Sequence, residues 1–521
     1  MANPHTDPRM ISPVPLKRRL GIIDLGSNSA RLIIVRYTPG VAFKVTDELS
    51  RRVRLGEGMV ADNRLRPAAM ERAIDAVNMF RAFCQANAVA HLIPVATAAV
   101  RDAVNRAEFL ARLHKSTGLK FRVLTGEEEA YFGVLGVVNS LGLRAGLVMD
   151  VGGGSTEVSE VRKGRFRRGV TSPLGAVRLT ELYLDGDPVR ASEAARLADH
   201  VFSTFKMLDW MKVEDGEKLV GLGGTLRALA RIDREMRDYP LGLTHGYELE
   251  LDRLDELIER VRKLPLRERL RKVPGLQPDR ADIILAGAVV VAEALRRAGA
   301  DRMTVCGQGL REGLFYREFL KPADPPVVHN LREFSVLNLG RLYGFDKAHV
   351  DHVARLALSL FDQLSKQHGY GEPEREYLWA ASQLHDIGTI VDYYDHHKHS
   401  AYIVVSAGLP GYSHRETVLI ALLGLYHRKG EPDVGPYRKV LEAGDAERVR
   451  RLAALLRLAE YLDRSRTQAV TRLRIQAGDK RVRLWVKARG RAEGRVEVWE
   501  AQRNASLFEQ AFGCKLEIEQ E

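Results

Sequence analysis

The chain has 521 residues, 45% hydrophobic and 28% charged, a composition typical of a globular protein with three or four domains. No apolar run approaches the roughly 18 residues of a membrane span, residues 1–15 lack the apolar segment of a secretory signal, and the three scattered cysteines exclude a disulfide framework, so we expect a cytoplasmic protein. The formal net charge of +12 favours polyanionic partners, and charge alone does not distinguish nucleic acid, anionic membrane and polyphosphate.

Two hairpins of the same design are the first predicted elements. Apolar strands flank a glycine-containing turn over residues 20–35, and the arrangement recurs over residues 146–161. Both turns fit the pattern Asp-x-Gly-x-x-Ser, with Asp24, Gly26 and Ser29 in the first and Asp150, Gly152 and Ser155 in the second. A repeat on this scale predicts two related lobes that face each other.

Strands and helices alternate between and after the hairpins. The patterns predict strands over residues 91–96, 121–124 and 303–305, and helices over 103–115, 191–209, 226–231, 251–264, 280–297 and 309–319, with a further helix from about residue 127. This alternation is typical of α/β layers.

A proline-rich segment near residue 325 cannot continue a helix and predicts a linker. Apolar spacings of three and four then predict helices up to about residue 461, and alternation predicts strands over 470–475, 482–486 and 495–498. The predicted organisation is a disordered tail (1–16), a first lobe (17–135), a second lobe (136–320), a linker (321–329), a helical domain (330–465) and a small basic α+β domain (466–521).

The glycine turns are candidate phosphate-binding loops, and a third turn of this kind spans residues 221–225. Glycine lets the backbone approach an anion, and successive N–H groups form a concave anion site to which hydroxyls add donors. Asp24 and Asp150, at the ends of their strands, suit Mg²⁺, which prefers oxygen ligands. The candidate phosphate-binding residues are Gly26, Ser27, Asn28, Ser29, Gly152, Gly153, Gly154, Ser155, Thr156, Gly223, Gly224 and Thr225.

Five motifs occur in a fixed order along the chain. They are Asp-Leu-Gly-Ser-Asn-Ser (24–29), Ala-Thr-Ala-Ala-Val-Arg-Asp-Ala (96–103), Gly-Glu-Glu-Glu-Ala (126–130), Asp-Val-Gly-Gly-Gly-Ser-Thr-Glu (150–157) and Gly-Leu-Arg-Glu-Gly (309–313). This ordered set resembles the exopolyphosphatase/guanosine pentaphosphate phosphohydrolase family of the actin-like ATPase superfamily. The resemblance implies an α/β fold with two actin-like (ribonuclease H-like) lobes, followed by an all-α HD-like domain and a small C-terminal α+β domain. It also implies a homodimer.

The resemblance implies that an activated water hydrolyses a terminal phosphoanhydride. It assigns the role of catalytic base to Glu128, and a glutamate at a helix start beside a phosphate cleft could orient and deprotonate water. Which of Glu127, Glu128 and Glu129 points inward is left open by the sequence.

The resemblance also implies the metal and the remaining phosphate contacts. Glu157 and Asp150 would position water or metal, so that Asp24, Asp150 and Glu157 form the expected Mg²⁺ site, with Mn²⁺ as the alternative ion. Thr97 and Arg101 match phosphate-binding positions of the family. Ala99 stands where the family often has a hydroxyl, which leaves the details of this loop open.

A second motif lies in the helical part, where Leu-His-Asp-Ile-Gly (384–388) resembles the HD phosphohydrolase motif. Mixtures of histidine and carboxylate suit transition metals such as Mn, Fe or Zn. The candidate ligands are His352, His385, Asp386, His399, His427 and Asp463. A metal-loaded site, an independent second hydrolase and a domain that only extends the substrate-binding surface all stay open.

The function expected from the sequence is that of an exopolyphosphatase, which releases orthophosphate from the ends of linear inorganic polyphosphate. The alternatives are conversion of guanosine pentaphosphate to tetraphosphate in the same cleft, a nucleotide-binding regulator, and hydrolysis at the HD-like site. No membrane and no specific nucleic acid is expected as a partner. Basic residues that could hold a long chain are Arg51, Arg52, Arg54, Arg165, Arg167, Arg168, Lys480, Arg481 and Arg483.

Overall fold

Residues 13–478, 480–490 and 492–521 are described in the computed structural model of the chain, so most of the predicted tail, residues 1–12, lies outside the described residues. The described residues divide into two units. The two-sheet unit comprises Leu16–Tyr239 and Leu243–Leu331, and the helical unit comprises Arg332–Glu521 together with Pro240–Gly242.

The first sheet of the two-sheet unit is built around the apolar strand that precedes the first glycine turn. Its strands are β1 (Arg18–Leu25), β2 (Ser29–Thr38), β3 (Ala42–Arg52), β4 (His91–Ala96) and β5 (Arg122–Val123), in the order β3-β2-β1-β4-β5. The helices that connect them are α1 (Pro67–Ala86), α2 (Ala98–Asp102) and α3 (Arg106–Thr117). Leu20, Ile22 and Ile23 are fully buried because β1 lies in the middle of the sheet.

The second sheet repeats this arrangement and adds a strand at its edge. Its strands are β6 (Ala145–Val151), β7 (Thr156–Arg162), β8 (Arg165–Ser172), β9 (Lys218–Leu222), β10 (Tyr247–Glu250) and β11 (Arg302–Val305), in the order β10-β11-β9-β6-β7-β8. The helices of this part are α4 (Gly126–Leu141), α5 (Ala176–Tyr183), α6 (Ala191–Lys206), α7 (Gly223–Met236), α8 (Leu251–Arg262), α9 (Leu266–Lys272), α10 (Ile284–Ala298) and α11 (Leu310–Phe319). Helix α10 is apolar all round and buried along most of its length, as expected of a core helix.

The two sheets share one topology around the predicted hairpins. β1 pairs antiparallel with β2 and parallel with β4, and β6 pairs antiparallel with β7 and parallel with β9. The register is also shared, because Asp24 faces Arg31 in the first hairpin and Asp150 faces Glu157 in the second. The predicted pair of related α/β lobes is therefore confirmed.

The helical unit begins with a series of helices and ends with a small sheet. Its helices are α12 (Leu331–Leu342), α13 (Lys347–Gln363), α14 (Ser365–His368), α15 (Glu372–Leu384), α16 (His396–Ala407), α17 (His414–Tyr426), α18 (Asp445–Tyr461), α19 (Arg495–Arg503) and α20 (Ser506–Phe512). Its strands are β12 (Val470–Ala477), β13 (Arg481–Ala488) and β14 (Lys515–Gln520), in the order β12-β13-β14.

The predicted strand over residues 495–498 is wrong, because these residues open helix α19. The alternation of Val496 and Val498 suggested a strand, but the buried face of the segment is formed by Glu497 and Ala501, which are four residues apart. Val496 is half exposed, and the carboxylate of Glu497 accepts a hydrogen bond from the backbone N–H of Ser465.

Strands β3 and β8 escaped prediction because they are rich in charged and exposed residues. Both lie at the edge of a sheet, where a strand needs little apolar surface. Among the helices of the described residues, none combines the length and the apolar character needed to cross a membrane.

Candidate functional site

The turns that follow β1 and β6 have the same local structure. The N–H of Gly26 donates to the carbonyl of Ser29 at 3.2 Å, and the N–H of Gly152 donates to that of Ser155 at 2.9 Å. A Cβ at Gly26 would lie 3.2 Å from the Ser29 oxygen, and one at Gly152 would lie 3.0 Å from the Ser155 oxygen. The close approach of the backbone therefore explains why both turns carry glycine at this position.

The two turns face each other directly. A Cβ added to Gly153 would lie 3.2 Å from the Cβ of Asn28, and one added to Gly154 would lie 2.7 Å from Oγ of Ser27. The two loops are therefore in close contact at Gly153 and Gly154, and neither position has room for a side chain unless its neighbour moves.

The loops form part of the lining of a cleft of about 120 Å³. Most of the residues predicted for the site line it: Asp24, Gly26, Ser27, Asn28, Ser29, Thr97, Asp150, Gly152, Gly153, Gly154, Ser155, Glu157, Gly223 and Gly224. Asn28 is 5% exposed, and within the described part of the chain neither polar atom of its amide has a hydrogen-bond partner. A buried amide of this kind is poised to bind a ligand, because an unsatisfied polar group costs free energy.

Three predicted phosphate contacts lie outside the lining of this cleft. The Thr156 hydroxyl donates to the carbonyl of Leu174 at 2.7 Å, and Thr225 is buried against Gly287 of helix α10. The Thr156 hydroxyl therefore has a structural role, which corrects its assignment to phosphate, whereas Oγ1 of Thr225 is buried and, within the described residues, makes no hydrogen bond. Arg101 does not line the cleft, and its guanidinium group donates a hydrogen bond to the Glu129 carboxylate at 2.8 Å.

The structure places Glu129, and not Glu128, in the cleft. Glu128 belongs to a capping box at the start of α4, in which its N–H donates to Oγ1 of Thr125 at 3.1 Å and its carboxylate accepts from the N–H of Thr125 at 3.0 Å. Glu128 also pairs with Arg122 outside the cleft, and Glu127 is exposed. Successive helical residues point about 100° apart, so the neighbour of the capping residue is the one that enters the cleft.

The carboxylates of the cleft have raised pKa values because they are buried together. Burial, together with the neighbouring Asp150 and Asp24, raises the pKa of Glu129 to about 7 despite the opposing effect of Arg101. Burial also raises the pKa of Asp150 to about 6 and that of Glu157 well above its usual range. Such a group of buried carboxylates favours the binding of a cation.

The donor set fits a magnesium ion. Oδ1 of Asp24 is buried and, within the described residues, accepts no hydrogen bond. Asp24, Asp150 and Glu157 all line the cleft and offer only oxygen atoms, the ligands that Mg²⁺ prefers. Glu157 accepts a hydrogen bond from the Ser155 hydroxyl at 2.7 Å, which fixes one of its oxygens.

The structure adds a group of arginines that the sequence analysis missed. Arg31, Arg227, Arg280 and Arg311 also line the cleft, where Arg280 and Arg311 are buried and Arg31 and Arg227 are half-buried. Burial and repulsion by the other three lower the pKa of Arg31 to about 9. Guanidinium groups crowded in this way favour an anion with several oxygens, such as a phosphate.

Only two of these arginines had a sequence signal. Arg31 stands opposite Asp24 in the first hairpin, and Arg311 lies within the quoted motif 309–313. Arg227 and Arg280 come from helix α7 and the segment before α10, and nothing in their neighbourhood in the sequence marks them.

The basic residues predicted to hold a long chain are largely paired within the protein. Arg52 binds Asp282 at 2.9 Å, Arg54 pairs with the same aspartate, and Arg168 binds Glu160 at 2.6 Å. In the helical unit, Arg481 and Arg483 both bind Glu517 at 3.1 Å.

Only some of the metal ligands predicted for the HD-like site lie close together in the structure. His385, Asp386 and His427 lie in one buried cluster of the helical unit, and Asp463 borders it through a 2.8 Å contact with Nδ1 of His349. His349 and His396 occupy the places predicted for His352 and His399, so these two assignments are corrected. Nε2 of His352 lies at the border, 3.8 Å from Asp463, and His399 lies outside the cluster. The exchange reflects position along the helix, since residues three apart on α13 and α16 share a face but lie about 4.5 Å apart along the helix axis.

The family models that match this chain define its class as a phosphatase. The model of the Ppx/GppA phosphatase family matches residues 33–322, and that of Ppx/GppA phosphatase, domain III, matches residues 331–494. The chain therefore belongs to the Ppx/GppA phosphatase family, which confirms the resemblance seen in its motifs.

Solved structures show the same relationship. The chain is similar to the Ppx/GppA family member of Aquifex aeolicus, with 30% sequence identity and a TM-score of 0.51, over 58% of this chain and 98% of that one. It is also similar to an exopolyphosphatase from Cytophaga hutchinsonii, with 25% identity and a TM-score of 0.53, again over 58% of this chain and 98% of that one. Both likenesses agree with the mixed α/β architecture.

Proposed function

We propose that this chain is an exopolyphosphatase that hydrolyses the terminal phosphoanhydride of linear inorganic polyphosphate and releases orthophosphate. The observation that carries the proposal is the cleft in which two glycine loops and buried arginines surround the same space as the Glu129 carboxylate. The similar protein from Cytophaga hutchinsonii is named an exopolyphosphatase.

The loops and arginines would hold the terminal phosphate. Backbone N–H groups of the loops, with the hydroxyl of Ser27, supply donors for phosphate oxygens. The buried guanidinium groups supply the positive charge, which acts strongly where water is excluded. Phosphoryl transfer depends mainly on such positioning and electrostatic stabilisation.

Glu129 would act as the general base. Its raised pKa, about 7, makes it a stronger base than an exposed glutamate while a large fraction stays deprotonated near neutral pH. It would accept a proton from the attacking water as the new P–O bond forms and the bond to the bridging oxygen breaks. Arg101, which donates to the Glu129 carboxylate at 2.8 Å, is a positioning residue.

Asp24, Asp150 and Glu157 would hold a magnesium ion. When bound, this ion supplies positive charge that neutralises phosphate oxygens. In the protein, the Ser155 hydroxyl fixes one oxygen of Glu157, and Glu157 lines the cleft.

The lining of the cleft favours a chain of phosphates over a nucleoside. Among the described residues that line it, no aromatic side chain is present, so stacking with a guanine base has no partner there. The repeated anionic units of polyphosphate match the arginines instead.

The proposal is tested by measuring orthophosphate release from long-chain polyphosphate and from guanosine pentaphosphate, each with Mg²⁺ and with Mn²⁺. We expect turnover of polyphosphate that depends on the divalent ion and a higher kcat/KM for it than for the nucleotide. Failure of the intact protein to turn over either substrate would contradict the proposal, and a strong preference for guanosine pentaphosphate would move the substrate assignment to the nucleotide.

The pH dependence of the reaction follows from the pKa of Glu129. The base works only when deprotonated, and burial raises its pKa to about 7, so kcat/KM should be maximal above that pH and fall as the pH decreases through it. The residual activity of Glu129→Gln should lack this acidic limb, whereas Glu128→Gln should keep it. An unchanged limb in Glu129→Gln would assign the titration to another group, such as the substrate.

The contact between the loops predicts the effect of one added methyl group. Because a Cβ at residue 154 would lie 2.7 Å from Oγ of Ser27, Gly154→Ala should turn this hydroxyl out of its place in the cleft and lower kcat/KM by about 10-fold. Gly242→Ala is the control, since a Cβ there meets nothing within 4 Å. Steady-state kinetics with polyphosphate would compare the two, and a fully active Gly154→Ala protein would show that the reaction does not need this position of the Ser27 hydroxyl.

A further inference from the structure

Four histidines of the helical unit point at each other although they come from different helices. His349 lies on α13, His385 follows α15, His396 opens α16 and His427 follows α17. Their side chains are 0–5% exposed. Burying a histidine costs free energy of folding unless its ring nitrogens have bonding partners. The meeting of four buried imidazoles from separate elements therefore needs a chemical explanation.

Each of these rings is held by its Nδ1 atom. In His385, His396 and His427, Nδ1 faces the carbonyl of the residue three positions earlier, at 2.8, 2.8 and 2.6 Å respectively. In His349, Nδ1 faces Oδ2 of Asp463 at 2.8 Å. A carbonyl or carboxylate oxygen can only accept, so each Nδ1 carries the proton, and in the neutral imidazole Nε2 keeps the lone pair that a metal ion can use. This is the arrangement that orients imidazole ligands in metal sites.

The free Nε2 atoms meet two buried carboxylates. Oε2 of Glu460 lies 3.1 Å from Nε2 of both His349 and His385, and Oδ1 of Asp386 lies 3.1 Å from Nε2 of His396. The Nε2 atoms of His396 and His427 are 3.2 Å apart. These contacts bring electron-pair donors together, which is unfavourable unless a proton or a metal cation lies between them.

Two atoms of the group remain without hydrogen bonds. Although Nε2 of His349 lies 3.1 Å from Glu460 and Oδ1 of Asp386 lies 3.1 Å from His396, both atoms are buried and neither makes a hydrogen bond within the described residues. Both point into the cluster, and Arg466 pairs with the other oxygen of Asp386. The unpartnered atoms therefore mark the positions that a ligand would satisfy.

The ligand atoms form two triads that share one residue. His349, His385 and Asp386 have one ligand atom each within 4.8 Å of one another, and so do Asp386, His396 and His427. We propose that this cluster is a transition-metal centre built on Asp386 that binds one or two divalent ions. Imidazole and carboxylate together suit Mn²⁺, Fe²⁺ or Zn²⁺ better than Mg²⁺. The proposal does not depend on the exopolyphosphatase activity, because it concerns other residues in the other unit.

Metal content of the full-length protein tests the proposal. The chain would be stripped with a chelator, equilibrated with MnCl₂ or ZnSO₄, desalted and analysed by inductively coupled plasma mass spectrometry. We expect about one or two retained ions in the unsubstituted protein and the loss of at least one of them in Asp386→Asn. His399→Gln, whose histidine lies outside the cluster, is the matched control and should retain the full amount. Equal metal content in the unsubstituted and Asp386→Asn proteins would overturn the assignment.

A second measurement avoids the risk that a substituted protein misfolds. The unsubstituted, stripped protein would be titrated with Co²⁺ and followed by visible absorption. Binding to several imidazole nitrogens should produce d–d bands that Zn²⁺ then abolishes by displacement, and the melting temperature should rise with the concentration of the ion. The absence of such bands in the folded, stripped protein would contradict the proposal.

Discussion

Replacing Glu129 by glutamine is expected to lower kcat for orthophosphate release by about 10²–10⁴-fold, equivalent to roughly 3–5 kcal/mol of transition-state stabilisation. The reason is that glutamine has the size of glutamate but cannot accept the proton of the attacking water. Its side-chain carbonyl can still accept the hydrogen bond that Arg101 now donates to the carboxylate at 2.8 Å. Substrate binding should therefore change much less than turnover, which steady-state kinetics with long-chain polyphosphate would show.

The neighbouring glutamate supplies a matched control for this substitution. Glu128 closes the capping box of α4, and glutamine can take the same place in such a box, so Glu128→Gln should fold normally. We expect its kcat to stay within about threefold of the unsubstituted value, since losses of 10²-fold or more are reserved for groups that take part in the chemistry. Full activity in Glu129→Gln combined with a large loss in Glu128→Gln would restore the assignment made from the sequence.

Replacing Arg31 by methionine should weaken polyphosphate binding and leave the ligand-free protein at least as stable. Desolvation of the half-buried Arg31, together with repulsion by the other three arginines of the cleft, lowers its pKa to about 9, so its charge is unfavourable until an anion binds. Removing one charged hydrogen-bond donor to phosphate costs about 1.5–3 kcal/mol, which corresponds to roughly 10–150-fold in affinity. The melting temperature without ligand should stay the same or rise.

Binding to catalytically inactive protein and thermal unfolding would measure the two effects separately. Arg52→Met is the control, because Arg52 pairs with Asp282 at 2.9 Å and is absent from the lining of the cleft. Its affinity for polyphosphate should change little. A lower melting temperature with unchanged affinity in Arg31→Met would show that Arg31 is a structural residue, not a ligand-binding one.

The parts of the fold that the sequence predicts well are those with strong local signals. The hairpins of β1 with β2 and β6 with β7 were evident because buried apolar strands flank short glycine turns. The repeated aspartate, glycine and serine then indicated that the two turns are equivalent. Edge strands β3 and β8 carry no such signal, since their surroundings and not their composition make them strands.

The residues of the site that escaped prediction depend on long-range packing. Arg227 and Arg280 reach the cleft only because α7 begins beside the glycine loops and the segment before α10 also lies there. The choice between Glu128 and Glu129 depends on which of them closes the capping box, and the choice between His396 and His399 depends on where α16 begins. A shift of one residue turns a side chain by about 100°, a shift of three moves it by about 4.5 Å along the helix, and composition reveals neither change.

The most direct test is a crystal structure of the Glu129→Gln protein with a short polyphosphate and Mg²⁺, because slow turnover would preserve the complex. The proposal predicts a terminal phosphate that contacts the loops around Gly26 and Gly153, with the residue 129 side chain no further from phosphorus than one bridging water. A phosphate chain bound elsewhere, or a terminal phosphate remote from residue 129, would contradict it.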